Sequence, residues 1–280
     1  MREYLIYTSA GKFSCLNKWV LGDRKFDLWV TNYSDQPSLW KEYADFYNET
    51  KGAKFPNFKR VFEANKALLK GYKAIMIADD DILISTERLN ELFEFASQNN
   101  FTIVTPAFSR FGKISHATTA RELVSDYRLT NFAEVTCPIF NADALMDFME
   151  VYDPSLGECF GVDWWYLDFF KKNRADAKIA ISDRLYCINP YEFKKGTLTR
   201  EIDTHYSDAQ RLQLWETMKS TLHIDTFEKE IYGRKKNSVF TLVKMAPLYY
   251  CELAFDKIYK QLRGNTLLRT LKRYYIKAKS

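Results

Sequence analysis

The sequence predicts an α/β fold: a mostly parallel, doubly wound sheet flanked by helices, followed by a C-terminal helical appendage. Three observations carry this expectation. Short apolar runs alternate with helix-period patterns over the first two-thirds of the chain. One run, Ala74-Ile75-Met76-Ile77-Ala78, is apolar throughout, as a strand covered on both faces must be. Beyond about residue 231 the pattern changes to lysines mixed with apolar residues at helical spacing.

The elements follow in order. Tyr4-Leu5-Ile6-Tyr7-Thr8 and Phe26-Asp27-Leu28-Trp29-Val30-Thr31 read as the first two strands. Lys59 to Leu69 has helical spacing, with Val61, Phe62, Ala64, Leu68 and Leu69 as its apolar set. After the Ala74–Ala78 strand, Glu87 to Ala96 reads as an amphipathic helix with Ser85 or Thr86 as its N-cap. Phe101 to Val104, Phe132 to Phe140 and Ile179 to Ile181 complete the strands, and Ala142 to Val151 and Trp164 to Lys172 the helices between them. Strands alternating with helices in this way bury each other best around a parallel sheet. Residues 1–232 read as a catalytic domain. Residues 233–280 read as a basic helical tail with Pro247 inside its first helical stretch and a second stretch at Leu267 to Lys277.

Composition narrows the class. The chain has 280 residues, 46% of them hydrophobic, enough for a sizeable core, and 16% aromatic, which serves either core packing or platforms for sugar rings. The net charge of +5 is unevenly spread: from Gly233 onward there are twelve Lys/Arg against two Asp/Glu, leaving the preceding body at −5. An acidic body argues against a nucleic-acid enzyme, and the basic tail suits an anionic surface. The five cysteines show no CxxC pairing, so free thiols in a reducing cytoplasm are expected, and zinc is not. No run of about 18 apolar residues exists, and Met1-Arg-Glu-Tyr runs straight into a strand, so neither a transmembrane helix nor a leader is expected.

Asp79-Asp80-Asp81 is the most informative segment. Three adjacent carboxylates repel one another, which raises their pKa values and costs stability unless a cation is near. They follow a strand that reads as central, and in open α/β sheets ligands bind at the carboxyl ends of strands. Oxygen ligands suit Mn²⁺ or Mg²⁺ shared with substrate phosphates. Strand alternation would turn Asp79 and Asp81 to one side, as a D-x-D pair, and Asp80 to the other. Read structurally, the same triplet is a solvated turn leading into the helix at Ser85.

The triplet after an apolar strand resembles the D-x-D motif of GT-A glycosyltransferases. More widely, the chain from about Asp27 to Ile188 resembles a family of GT-A-like proteins of unknown function. The matching segments, in order, are Phe26-Asp27-Leu28 with Tyr33-Ser34-Asp35; Lys54 with Phe58-Lys59-Arg60 and Phe62; Tyr72 to Ile82; Thr105-Pro106-Ala107; Ala133-Glu134-Val135-Thr136-Cys137-Pro138-Ile139-Phe140; and Phe160-Gly161-Val162-Asp163. The resemblance implies transfer of a sugar from a nucleotide-sugar donor to a glycan. The donor would sit on the N-terminal half of the sheet and the acceptor on the C-terminal half. The family pattern places a histidine a few residues after an aspartate past the last strand. Here Asp183 is followed by Asn189 where that histidine is expected, so the third metal ligand falls to Asn189 or to His205.

Other residues carry two readings each. Asp163 opens a helical pattern and suits either an N-cap or the general base of an inverting transfer, with Glu158 in reserve. Trp164 and Trp165 suit acceptor stacking or core packing. Glu134, in an otherwise apolar run, would need a partner if buried: donor-sugar hydroxyls, or an arginine such as Arg121. His116 could touch donor or acceptor, or be structural. Lys54, Lys59 and Arg60 could neutralise a diphosphate or form a solvated helix face. Thr8 and Ser9, past the first strand, suit nucleotide contacts, although the P-loop spacing is absent. The tail suits an anionic membrane surface, and so a lipid-linked acceptor, or simple packing on the domain. Competing readings of the whole are a nucleotidyltransferase or metal-dependent phosphohydrolase, and a non-catalytic carbohydrate-binding protein at a membrane surface. A missing glycine-rich basic loop after the first strand counts against the nucleotidyltransferase.

Overall fold

The computed structural model describes residues 1–11, 14–35, 39–156, 160–191 and 207–264. The strands are β1 (Tyr4–Ala10), β2 (Phe26–Asn32), β3 (Phe46–Glu49), β4 (Ala74–Asp79), β5 (Ile103–Phe108), β6 (Ser125–Thr130), β7 (Ile139–Asn141), β8 (Ile179–Cys187) and β9 (Ile231–Lys236). The helices are α1 (Lys54–Leu69), α2 (Thr86–Gln98), α3 (Ala142–Val151), α4 (Val162–Asn173), α5 (Asp208–Thr221) and α6 (Val239–Gly264).

All described strands join one sheet in the order β3-β2-β1-β4-β7-β5-β8-β6-β9. The half from β3 to β4 is wholly parallel. Beyond it β7 runs antiparallel to both β4 and β5, β8 is parallel to β5, and β6 and β9 are antiparallel additions. The sheet is therefore mixed, with the expected parallel order concentrated in the N-terminal half.

Period-two alternation assigns the strands to two cores. Leu5, Tyr7, Ile75 and Ile77 face α1, α3 and α4, where Phe58, Phe62, Phe148 and Trp165 fill one core. Ile6, Leu28, Met76 and Ala78 face α2, whose Leu89, Leu92 and Phe93 fill the other. β4 is buried on both faces, as its continuous apolar run predicts. From β1 the chain winds to β2 on one side, and later places β4 on the other. The carboxyl ends of β1 and β4 thus flank the point where the winding reverses, the place where such sheets bind ligands.

Local chemistry fixes the helix starts. The Ser85 hydroxyl accepts from the Arg88 N–H at 3.3 Å, and Asn141 caps α3 through the Ala144 N–H at 3.1 Å. α1 begins at Lys54, five residues earlier than the apolar spacing indicates, because Phe55 and Phe58 in its first turns are buried too. α4 starts from Gly161 at φ +85°, a conformation that disfavours side chains. A Cβ there would lie 1.8 Å from Cε3 of Trp215.

Three expectations change. The strand expected over Phe132–Phe140 shrinks to Ile139–Asn141; Pro138 lacks the N–H a ladder needs, and the preceding residues cross the carboxyl end of β4 as a loop. There the Asp79 N–H donates to the Thr136 carbonyl at 2.8 Å. β3, β6, β9 and α5 have no counterpart in the sequence reading; β6 and β9 are too polar for an apolar pattern to reveal. Finally, the expected boundary after Tyr232 falls inside β9, which pairs with β6 at the sheet edge. Its Arg234, Lys235 and Lys236 blunt that edge against further pairing. α6 follows and docks on the domain: Glu252 is fully buried against Arg121, Phe255 meets Phe111, and Tyr259 stacks on Tyr191. Leu267 to Lys277 lies outside the described residues.

Candidate active site

The acidic triplet sits where the sequence places it, at the carboxyl end of β4. β4 ends at Asp79 and the next two residues form a turn, so strand alternation does not continue through Asp80 and Asp81. Asp79 is 45% exposed, and its Oδ1 lies 2.7 Å from Nζ of Lys54. That ammonium also donates to the carbonyls of Val135 at 2.6 Å and Thr136 at 2.9 Å. An ammonium has three protons, and these three acceptors account for them. Lys54 therefore clamps the tip of β4 to the 132–138 loop; contacting a diphosphate would require releasing one of those bonds. Lys59 reaches the Met149 carbonyl at 2.5 Å, and Arg60 the Asn57 side chain at 2.6 Å, so both brace α1.

Asp80 turns back beneath the tip, where its Oδ2 accepts the Gly11 N–H at 3.0 Å. Burial first, then the neighbouring charges of Asp81 and Asp79, push its carboxyl from 3.8 up to about 8, against the pull of the Gly11 N–H. Asp81 is half-buried in the turn. Two residues on, Leu83 pairs with Ile188 across an isolated bridge, which brings Asn189 next to the triplet's turn. Asn189 is itself 9% exposed. His205 lies outside the described residues.

Thr8 and Ser9 lie at the end of β1, beside the triplet. Thr8 is buried and donates to the Ala78 carbonyl at 2.9 Å. Ser9 accepts from Asn57 at 3.2 Å, within a buried polar group that includes Tyr7 and Thr31, whose hydroxyls lie 2.9 Å apart. Ser9 is slightly more exposed than Thr8.

The 132–138 loop carries the site onward. Glu134 is buried, and both its oxygens are engaged: Oε2 by the Thr119 hydroxyl at 3.1 Å, Oε1 by that of Thr136 at 2.8 Å. Of the two readings of Glu134, the pairing with Arg121 does not occur, because Arg121 is committed to Glu252. Asp163 lies in the first turn of α4, where its Oδ1 accepts the Trp164 N–H at 3.0 Å. Gly161 holds the N-cap position, so Asp163 satisfies a first-turn donor from one step inside the helix. Burial, with the Glu134 charge adding to it, pushes the Asp163 carboxyl from 3.8 up to about 6, while Lys229 and the Trp164 N–H oppose the rise.

Lys229 was invisible to sequence reasoning. It lies between α5 and β9, where no motif marks it, and it completes the cluster. Its Nζ is 2.7 Å from Nδ1 of His116 and 3.9 Å from the Phe132 ring centre. Burial lowers its pKa, while Asp163 and Glu134 hold it up. His116 packs edge-on against Phe132, and burial lowers its pKa too. With Lys229 donating to Nδ1, the neutral ring carries its proton on Nε2. Trp164 is half-buried at the rim near Lys229 and Phe227. Trp165 is buried against Phe148 and Tyr152, and so belongs to the core, not to a sugar platform. Glu158 lies outside the described residues.

Asp79 and Asp81 offer carboxylate oxygens, the donor type that hard divalent ions take. Among the described residues, no group of three His, Cys, Asp or Glu side chains converges as a ready-made cage. Two carboxylates two residues apart at the end of a strand instead suit an ion whose remaining ligands are water and substrate phosphate. The four described cysteines are free thiols; Cys159 lies outside the described residues.

A parallel half-sheet that ends in an acidic tip, joined through a short antiparallel strand to a mixed second half, defines a GT-A-like fold. One solved structure that matches it is S. aureus TarS 1–349 in complex with UDP-GlcNAc, with a TM-score of 0.53 and 13% identity over 81% of this chain and 68% of that one. S. aureus TarS and its 1–349 form also match, each with a TM-score of 0.49, at 14% and 12% identity, over 79% and 85% of this chain and 43% and 99% of theirs. At such identities the likeness concerns the fold. The chain matches no known protein family and no curated protein, so the resemblance to one particular GT-A-like family stays an expectation.

Proposed function

We propose that this protein is a glycosyltransferase that moves a sugar from a nucleotide-sugar donor to a hydroxyl of a glycan acceptor. The observation that carries the reading is the pairing of two acidic centres on a GT-A-like sheet. Asp79–Asp81 sits at the tip of β4, Glu134 lies on the loop that Lys54 clamps to that tip, and Asp163 feels the charge of Glu134. The TarS complex contains UDP-GlcNAc, which makes uridine nucleotide sugars the first donors to assay.

In this reading Asp79 and Asp81, with Asn189 beside them, hold Mn²⁺ or Mg²⁺. When bound, that ion offsets the charge that develops on the leaving diphosphate. Thr8 and Ser9 border the donor at the end of β1. Asp163, ionised above about pH 6, takes the proton of the attacking hydroxyl through Oδ2, since Oδ1 is occupied by the Trp164 N–H. Glu134, fixed by two hydroxyls, orients the donor sugar or the acceptor. The Lys229–His116 pair keeps two carboxylates in one buried space from repelling each other outright.

Asp81→Ala is expected to abolish donor hydrolysis and transfer while leaving the circular dichroism spectrum unchanged. Full activity in that variant would refute the reading.

The same reading allows action at an anionic membrane surface. Phe240 and Val243 of α6 and Tyr232 of β9 are exposed beside Arg234, Lys235, Lys236 and Lys244. Among the described residues, no helix is long and apolar enough to cross a membrane. Co-sedimentation with phosphatidylglycerol vesicles but not phosphatidylcholine vesicles is expected, and equal recovery with both would count against it.

A further inference from the structure

We propose that the groove between α6 and the loop 109–120 is an acceptor subsite that binds an anionic group, phosphate or carboxylate, carried on the acceptor glycan. The inference rests on the glycosyltransferase reading above and adds the chemical class of the acceptor.

The groove encloses about 310 Å³ and is lined by Arg110, Lys113, Lys260, Asp256, Tyr191 and Tyr259. Three cations face one carboxylate there. The carboxylate is occupied: Asp256 lies 2.8 Å from Nζ of Lys260 and 3.9 Å from Nη1 of Arg110. The cations are not all neutralised. Among the described residues the Lys113 ammonium makes no ion pair, and Nε of Arg110 is buried without a hydrogen-bond partner. A buried donor left unpaired costs free energy, and an anion in the groove would satisfy it. Tyr191 and Tyr259, stacked with ring centres 3.9 Å apart, form an aromatic wall. Cations beside an aromatic wall suit a ligand that combines an anion with the apolar face of a sugar or polyol.

Position connects the groove to the reaction centre. Ala117 and Ala120 line it, while His116 and Thr119, interleaved with them on the same short turn, bond to Lys229 and Glu134. On its other side the Lys113 N–H donates to the Asn189 carbonyl at 2.7 Å. That contact ties the groove to the segment beside the acidic triplet, and a Cβ on Gly112 would lie 2.3 Å from the same oxygen. In this proposal an acceptor chain with one hydroxyl at Asp163 carries its next anionic group over this turn into the groove.

The test titrates the full chain at low salt with four probes: maltohexaose, maltohexaose phosphate, a hexagalacturonate and inorganic phosphate. UDP-sugar binding is measured on the same samples. Both charged oligosaccharides are expected to bind about tenfold tighter than the neutral one, as one charge-assisted contact would give. Lys113→Glu and Lys260→Glu are expected to erase that advantage, Lys113→Arg to keep it, and UDP-sugar binding to stay unchanged in all three. Raising the salt should also erase it. Equal affinity for neutral and charged oligosaccharides, or an advantage that survives Lys113→Glu, overturns the proposal. So does inorganic phosphate binding as tightly as the phosphorylated oligosaccharide, which would mark a bare anion site. Failure of the wild type to bind any UDP-sugar overturns the glycosyltransferase reading instead, and the acceptor role with it.

Discussion

Replacing Asp163 with asparagine separates the stability of the site from its chemistry. The carboxyl is buried, and its pKa rises from 3.8 to about 6 on folding. A raised acid destabilises the folded state above that range, because the unfolded chain gives up its proton first. Below about pH 4 both states hold the proton, and the group contributes nothing to the pH dependence. Between pH 4 and 6 stability falls as the pH rises, at 1.36 kcal/mol per unit, to a loss of about 3 kcal/mol by pH 7. Asparagine is nearly isosteric, keeps an oxygen for the Trp164 N–H, and cannot ionise. Asp163→Asn should therefore match the wild type near pH 4 and exceed its stability by up to about 3 kcal/mol at pH 7.5. Urea unfolding at both pH values reads this directly. The same variant should lose transfer, and wild-type kcat/KM should fall as the pH drops through about 6. A variant whose advantage over the wild type is no larger at pH 7.5 than at pH 4 would show that the carboxylate is adequately paired in the folded protein, and the electrostatic account of the cluster would fail.

Other outcomes follow from single contacts. Arg121→Met leaves Glu252 buried without its partner and should cost about 3–5 kcal/mol of unfolding free energy. Adding Glu252→Met should recover most of that loss, and additive losses in the double variant would deny the coupling. Gly161→Ala puts a Cβ into Trp215 at a left-handed φ and should cost about 2 kcal/mol or more by urea unfolding. Chelation of divalent ions with EDTA should suppress donor hydrolysis, and added Mn²⁺ should restore it; hydrolysis that persists unchanged in EDTA would exclude the metal role of Asp79 and Asp81.

Local pattern was enough to place the acidic triplet of the candidate site at the end of its strand. A short, fully apolar run fits a strand buried on both faces, and carboxylates just past such a strand emerge at the sheet's carboxyl edge. The helix starts at Ser85 and Asn141 follow equally local rules of hydrogen bonding, although only the first was read from the chain. The rest escaped for two physical reasons. The edge strand β9 and its neighbour β6 satisfy their polar residues through partners far along the chain, so no period-two apolar signal marks them. Arg128, for example, is buried in β6 because Asp183 of β8 receives it at 2.8 Å. Contacts such as Lys229 with His116, 113 residues apart, depend on which surfaces the packed sheet brings together. The sequence by itself determined that a crowd of carboxylates stands at the tip of a central strand. Only the tertiary structure decided that Lys54 spends its protons on that tip, that Glu134 answers to hydroxyls and not to Arg121, and that a lysine from the far end of the chain shares the pocket of Asp163. Burial sets those charges, and burial is a property of the assembled fold.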